Sequence, residues 1–145
     1  DFAQKREKKS PYRLCMIGLT MERSALYERI ERRVDAMIEQ GLVNEVRALL
    51  AKGYDRSLPS MQAIGYKEIA AYLCGEVTLE RAVEMLKRNT RRFAKRQLSW
   101  FRTMPQIEWV DVTDAGKFST HCERINDIIA TAFPGSEFPF NTPIS

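Results

Sequence analysis

Residues 87–102 read KRNTRRFAKRQLSWFR, and the arrangement of the whole chain turns on this stretch. Seven of its side chains are basic (Lys87, Arg88, Arg91, Arg92, Lys95, Arg96 and Arg102) and none is acidic. The chain's net charge is +4, so with +7 here the remainder sums to −3 and the basicity is local. Phe93, Trp100 and Phe101 are threaded through the run. A basic run interleaved with rings is a candidate surface for tracking phosphates.

The same stretch sits in a segment that favours helix. From Thr78, an N-cap residue type, to Met104 before Pro105 nothing breaks a helix. Leu79, Ala82, Leu86, Phe93 and Trp100 or Phe101 recur at helical spacing and predict the buried stripe. Arg88, Arg92, Lys95, Ser99 and Arg102 then fall on a second stripe. Like charges so spaced repel by roughly a few tenths of a kcal/mol per pair, a strain that an anionic partner would relieve. The competing reading is a solvated basic face that only keeps the protein in solution.

Upstream, residues 13–20 (RLCMIGLT) are apolar on both faces and predict a strand buried within a sheet. Residues 22–40 place Leu26, Ile30, Val34, Met37 and Ile38 on one helical face and stop at Gly41. A second helix follows, with Leu42, Val46, Leu49 and Leu50 inward and Gly53 as its end. Residues 54–59 read as a loop, and residues 61–73 as a helix with Gly65 inside it and Gly75 as its stop. An interior glycine marks either a close approach of backbone to a ligand or a tight helix contact. Downstream, residues 106–112 alternate as a strand, and residues 119–133 form a last helix with Cys122, Ile125, Ile128 and Ile129 inward. Three prolines make residues 134–145 a poorly ordered tail. The expected fold is mainly α, an α+β fragment with short strands near 13–19 and 106–112 at the edge of a sheet. Its other strands are expected upstream.

At 145 residues and 44% hydrophobic, the chain is one domain or the last part of a larger one. Residues 1–12, charged and without an initiating Met, read as a linker or the end of an upstream helical insertion. No apolar run approaches the ~20 residues of a membrane span. Cys15, Cys74 and Cys122 are odd in number and scattered, and His121 is the single histidine. That pattern closes no zinc site and fits free thiols in a reducing compartment. The glycines never fall in a GxxxxGK[ST] frame, and no Ser/His/Asp or Cys/His set is present. Glu28, Glu31 and Asp35 lie on an arginine-rich helix and read as ion-paired surface. Composition alone therefore describes a basic helical module that binds RNA, DNA or an acidic protein.

One further feature lies on the first helix. Arg29 and Arg33 are one turn apart beside Ile30 and Val34, and the residue four after Arg33 is Met37 rather than a carboxylate. Such an arginine at the border of a core fits a phosphate or diphosphate clamp through its planar donor fork. Ordinary salt-bridge lacing of a helix surface is the alternative.

Three blocks in order, GLT-x-x-R with LYERIERRVDAMIEQGLVNEV, then MQAIGYKE, then TRRFAKRQLSWFR, closely resemble the C-terminal half of the tRNA dimethylallyltransferase (tRNA isopentenyltransferase) family. The resemblance runs over residues 11–109. It implies a P-loop-type α/β core with a helical insertion and a channel. It also implies transfer of a dimethylallyl group from dimethylallyl diphosphate to N6 of adenine 37, beside the tRNA anticodon, with the base flipped out. By this resemblance Arg33 holds the diphosphate. The tRNA-contacting residues are Gln62, Ala63, Ile64, Gly65, Tyr66 and Lys67, together with Lys95, Arg96, Gln97, Leu98, Ser99, Trp100, Phe101 and Arg102. The family's phosphate loop and the Asp that takes the N6 proton belong to its upstream half and are not in this sequence, so no catalytic residue is assigned here and the chain alone is expected to be inactive. Mg2+ is expected for the intact enzyme, with none bound by these residues. The partners implied are the anticodon stem-loop and the prenyl diphosphate, in a cytoplasmic, monomeric protein with no membrane association.

Overall fold

In a computed structural model, residues 12–135 are described. The charged leader expected over 1–12 and the tail expected over 134–145 fall almost wholly outside them. The chain divides into two compact units, one made of residues up to Thr20 and from Met104 onward, the other of Met21–Thr103.

The first unit is a two-stranded parallel sheet with a helix. Strand β1 (Met16–Thr20) pairs with β2 (Ile107–Asp111), Met16 opposite Ile107 and Thr20 opposite Asp111. Parallel strands require a long crossover, and residues 21–106 are that connection. Opposite Trp109 stands Gly18, where a Cβ would lie 2.7 Å from Ile107 Cγ2 and from the Trp109 ring. The indole therefore occupies the space a side chain would need. With a single partner strand among the described residues, the burial anticipated for β1 is incomplete, and Leu19 is exposed. The terminal helix (Phe118–Ala132) packs on β2 with Cys122, Ile125, Ile128 and Ile129 half-buried, as their spacing predicts.

The second unit holds four helices: α1 (Arg23–Glu39), α2 (Leu42–Ala51), α3 (Tyr66–Leu73) and α4 (Leu79–Phe101). Their core is Val34, Leu42, Val46, Met61, Ile69, Ala70, Ala82 and Leu86, the large aliphatic members each contributing roughly 1.5–3 kcal/mol by burial. Thr78 caps α4 as its sequence predicts, Oγ1 accepting from Arg81 N at 3.2 Å.

Two expectations are corrected here. Gly65 is not inside a helix. The chain turns through residues 56–65 and α3 begins at Tyr66, with Gly65 as its N-cap at φ +106°. A Cβ there would meet nothing closer than 4.0 Å, so the glycine serves its backbone angle rather than a close approach. The buried stripe of α4 also ends early. Ala82 and Leu86 are buried, but Phe93 is 44% and Trp100 60% exposed, and Phe101 is exposed as well. Spacing brought these rings to the core-facing register, but they remain exposed, Trp100 and Phe101 touching each other edge to face.

Candidate nucleic-acid interface

All of the residues singled out for binding lie in the helical unit. The seven cations of residues 87–102 divide into two sets. Lys87 Nζ is 2.6 Å from Asp35 Oδ1, and Arg91 Nη1 donates to Glu31 Oε1 at 2.8 Å. These pairs pin α4 to α1 and answer for two of the three carboxylates read as ion-paired surface, Glu31 and Asp35. The side chains of Arg88, Arg92, Lys95, Arg96 and Arg102 have no hydrogen bond or ion pair among the described residues, and all five are exposed. Their positive charge is uncompensated locally. Arg92, Lys95, Arg96, Ser99 and Trp100 line one shallow, open depression. Of the rings only Trp100 lines it; beside it, Trp100 and Phe101 meet edge to face at 4.9 Å, and the Arg96 guanidinium lies 5.8 Å over Phe93. In this segment Gln97 is exposed and Leu98 half-buried.

The second segment is the turn before α3. Gln62 and Ala63 are exposed, and Gln62 Nε2 donates to the Arg56 carbonyl at 2.6 Å. Ile64 packs against the helical core. Tyr66 is half-buried and its hydroxyl donates to Glu45 on α2, which raises its pKa above the ordinary 10.0. Its ring packs against the core as well, so it is anchored rather than free to swing onto a base. Lys67 reaches back to within 3.8 Å of Glu68 Oε1.

Glu68 was not anticipated as part of any site. It is a charged residue only 1% exposed. Oε2 accepts from Gly65 N at 2.8 Å, and Oε1 accepts from Asn89 Nδ2 of α4 at 2.7 Å. Its sequence signal is the spacing of Gly65 and Glu68, which is that of a helix cap with an acid at the third helical position. Nothing in the sequence indicates Asn89.

Arg33 is exposed on α1, one residue from buried Val34. Among the described residues no hydrogen bond or ion pair joins it to either RNA-side segment, and its donor fork is free. No cluster of three His, Cys, Asp or Glu side chains comes together among the described residues. Among the described residues no helix is long and apolar enough to cross a membrane.

The model of the IPP transferase family matches residues 1–104. The chain belongs to that family. Among similar IPP transferase sequences, the tRNA dimethylallyltransferase of Natranaerobius thermophilus is 58% identical over 126 residues, which are 87% of this chain and 38% of that protein. That of Halalkalibacterium halodurans is 54% identical over 124 residues, 86% and 39% of the two lengths. A full-length tRNA isopentenylpyrophosphate transferase from Bacillus halodurans has a similar structure, with a TM-score of 0.81 and 53% identity over 86% of this chain and 41% of that one. A tRNA delta(2)-isopentenylpyrophosphate transferase from Staphylococcus epidermidis scores 0.72 at 39% identity, over 81% and 38%. The chain thus spans about two fifths of the length of the curated relatives it matches. The helix-dominated α+β architecture agrees with that of these solved IPP transferases.

Proposed function

We propose that this chain is the tRNA-docking and diphosphate-holding part of an enzyme that moves a dimethylallyl group from dimethylallyl diphosphate to N6 of adenine 37 beside the tRNA anticodon. The observation that carries the proposal is the row of five locally uncompensated cations on α4, in a chain of the IPP transferase family. Point charges along one helix face match successive phosphates and hold the anticodon stem without reading sequence. The turn at 62–67 and the exposed rings of α4 are suited to unpaired loop bases, which present both edges and faces. In the reaction, N6 attacks the allylic carbon, the carbon–oxygen bond breaks, diphosphate departs and N6 loses a proton. Arg33 is assigned to the departing diphosphate, whose growing charge a free guanidinium can pair through two hydrogen bonds. Mg2+ is expected for the intact enzyme, and no residue of this chain is assigned to it. A non-enzymatic RNA-binding module, the reading from composition alone, is disfavoured by the family match. We place the protein in the cytoplasm, as a monomer, where tRNA is matured.

The test is binding of the chain to an anticodon stem-loop, with a scrambled loop as control, across a salt titration. Salt-dependent binding with preference for the matched loop is expected. Binding no stronger than that of a variant with Arg92, Lys95, Arg96 and Arg102 replaced by Ala would overturn the reading.

A further inference from the structure

The buried carboxylate of Glu68 has no part in the roles assigned so far, yet its two oxygens touch both segments of the interface. One accepts from Gly65 N, at the joint where the 62–67 turn enters α3, and the other accepts from Asn89 Nδ2 on α4. Asn89 lies seven residues before Arg96, two helical turns and about 10 Å along the same helix face. A charged group this deeply buried demands defined partners, because each one left unmade is costly. The geometry is correspondingly fixed. Oε1 also has Lys67 Nζ at 3.8 Å, and no buried side-chain nitrogen or oxygen lacks a partner among the described residues.

We infer that Glu68 is a positioning residue, which through Asn89 sets the register between the turn that meets loop bases and the helix that meets backbone phosphates. A loop base and a stem phosphate are a fixed distance apart in the RNA. A protein that reads one while gripping the other therefore needs its own two elements held at a matching offset. No other side-chain hydrogen bond among those described joins residues 62–68 to α4. This inference rests on the tRNA-docking reading above.

The experiment reverses donor and acceptor. Asn89→Asp sets two carboxylates against each other where a 2.7 Å hydrogen bond stands. Adding Glu68→Gln restores the bond in the opposite sense: the new amide oxygen accepts from Gly65 N, and its NH2 donates to the carboxylate introduced on α4. Affinities for matched and scrambled stem-loops are measured for each folded variant, well below its melting midpoint, together with the salt slope. Asn89→Asp is expected to reduce the matched-over-scrambled preference about tenfold, a size common for contacting residues in double-mutant cycles. The double variant is expected to recover it to within roughly twofold, within the scatter of such cycles. The salt slope should stay constant throughout, since the α4 cations are untouched. Asn89→Ala, which removes the bond without a clash, serves if Asn89→Asp does not fold, and its loss should not be recovered by Glu68→Gln. Single variants that keep the wild-type preference overturn the inference, as does a folded double variant that fails to recover it or a slope that falls in parallel. An unmutated chain with no preference for the matched loop overturns instead the docking reading on which the inference rests.

Discussion

Arg91 on α4 lies with Nη1 2.8 Å from Glu31 Oε1 on α1, while Lys95, one turn further along, has no such partner among the described residues. Four residues of one helix thus separate a charge spent on holding the fold from one with no ion pair among the described residues. Replacing Lys95 and Arg96 by Ala should flatten the slope of log K against log salt by roughly 1.5, as two phosphate contacts are lost. Replacing Lys87 and Arg91 by Ala should leave that slope unchanged and lower stability instead, by about 0.2–1 kcal/mol per pair because both pairs are partly solvated. Salt titrations and urea melts of the two double variants read the difference directly.

Gly65→Ala is expected to destabilise the helical unit by about 1–3 kcal/mol, the usual range for a side chain forced into a positive-φ conformation. Space is not the obstacle, since the new methyl would sit no closer than 4.0 Å to its neighbours. A denaturant midpoint equal to that of the unmutated chain would show that the turn has another route into α3.

Tyr66 gives a prediction at alkaline pH. Its hydroxyl donates to Glu45 and its folded pKa is raised above 10.0. The hydroxyl is therefore favoured in its neutral form by folding. Its contribution is fully present below pH 10 and is lost as pH rises through the raised folded value. Melting midpoints followed upward from pH 9 should fall more steeply for the unmutated chain than for Tyr66→Phe, the two curves converging at the alkaline end. Parallel curves would place the hydroxyl outside the stability balance.

Arg33→Ala, made in a full-length protein that carries this region, should reduce efficiency with the prenyl diphosphate by about two orders of magnitude. That corresponds to losing a charged bidentate contact of ~2–3 kcal/mol. Affinity for the stem-loop should be unaltered. Normal diphosphate kinetics with weakened RNA binding would move Arg33 to the RNA side of the site.

The chain by itself should transfer no prenyl group to the stem-loop, because its sequence holds neither a phosphate-cradling loop nor an assigned base for the N6 proton. Mass spectrometry of the RNA after incubation checks this. An added dimethylallyl mass above background would relocate the chemistry into these residues.

The parts of the structure legible in the sequence are those set by local periodicity and by caps. The apolar rows of α1 and α2, the stop at Gly41 and the cap at Thr78 all stand where their residue types put them. The illegible parts depend on neighbours distant in the chain. Ala63 and Ile64 continue an apolar rhythm that looks helical, yet the chain turns through them and Gly65 takes a positive φ before α3 begins. Phe93 and Trp100 have the spacing of core residues, but spacing carries no information about whether anything packs on them. Glu68 carries a capping signal through its spacing from Gly65, but its bond to Asn89, twenty-one residues away, has no local signature.

The crowding of Gly18 by Trp109 has a practical consequence. The chain contains two tryptophans, and the structure puts them in opposite surroundings and in different units: one half-buried across a glycine of the sheet, the other standing in water on α4. Indole emission shifts to the blue in apolar surroundings and to the red in water, so the protein carries two intrinsic fluorophores of different colour. With Trp109 replaced by Phe, the remaining signal reports on the surroundings of α4. With Trp100 replaced by Phe, it follows the sheet alone, so an optical melt can follow the two units of an unlabelled protein one at a time.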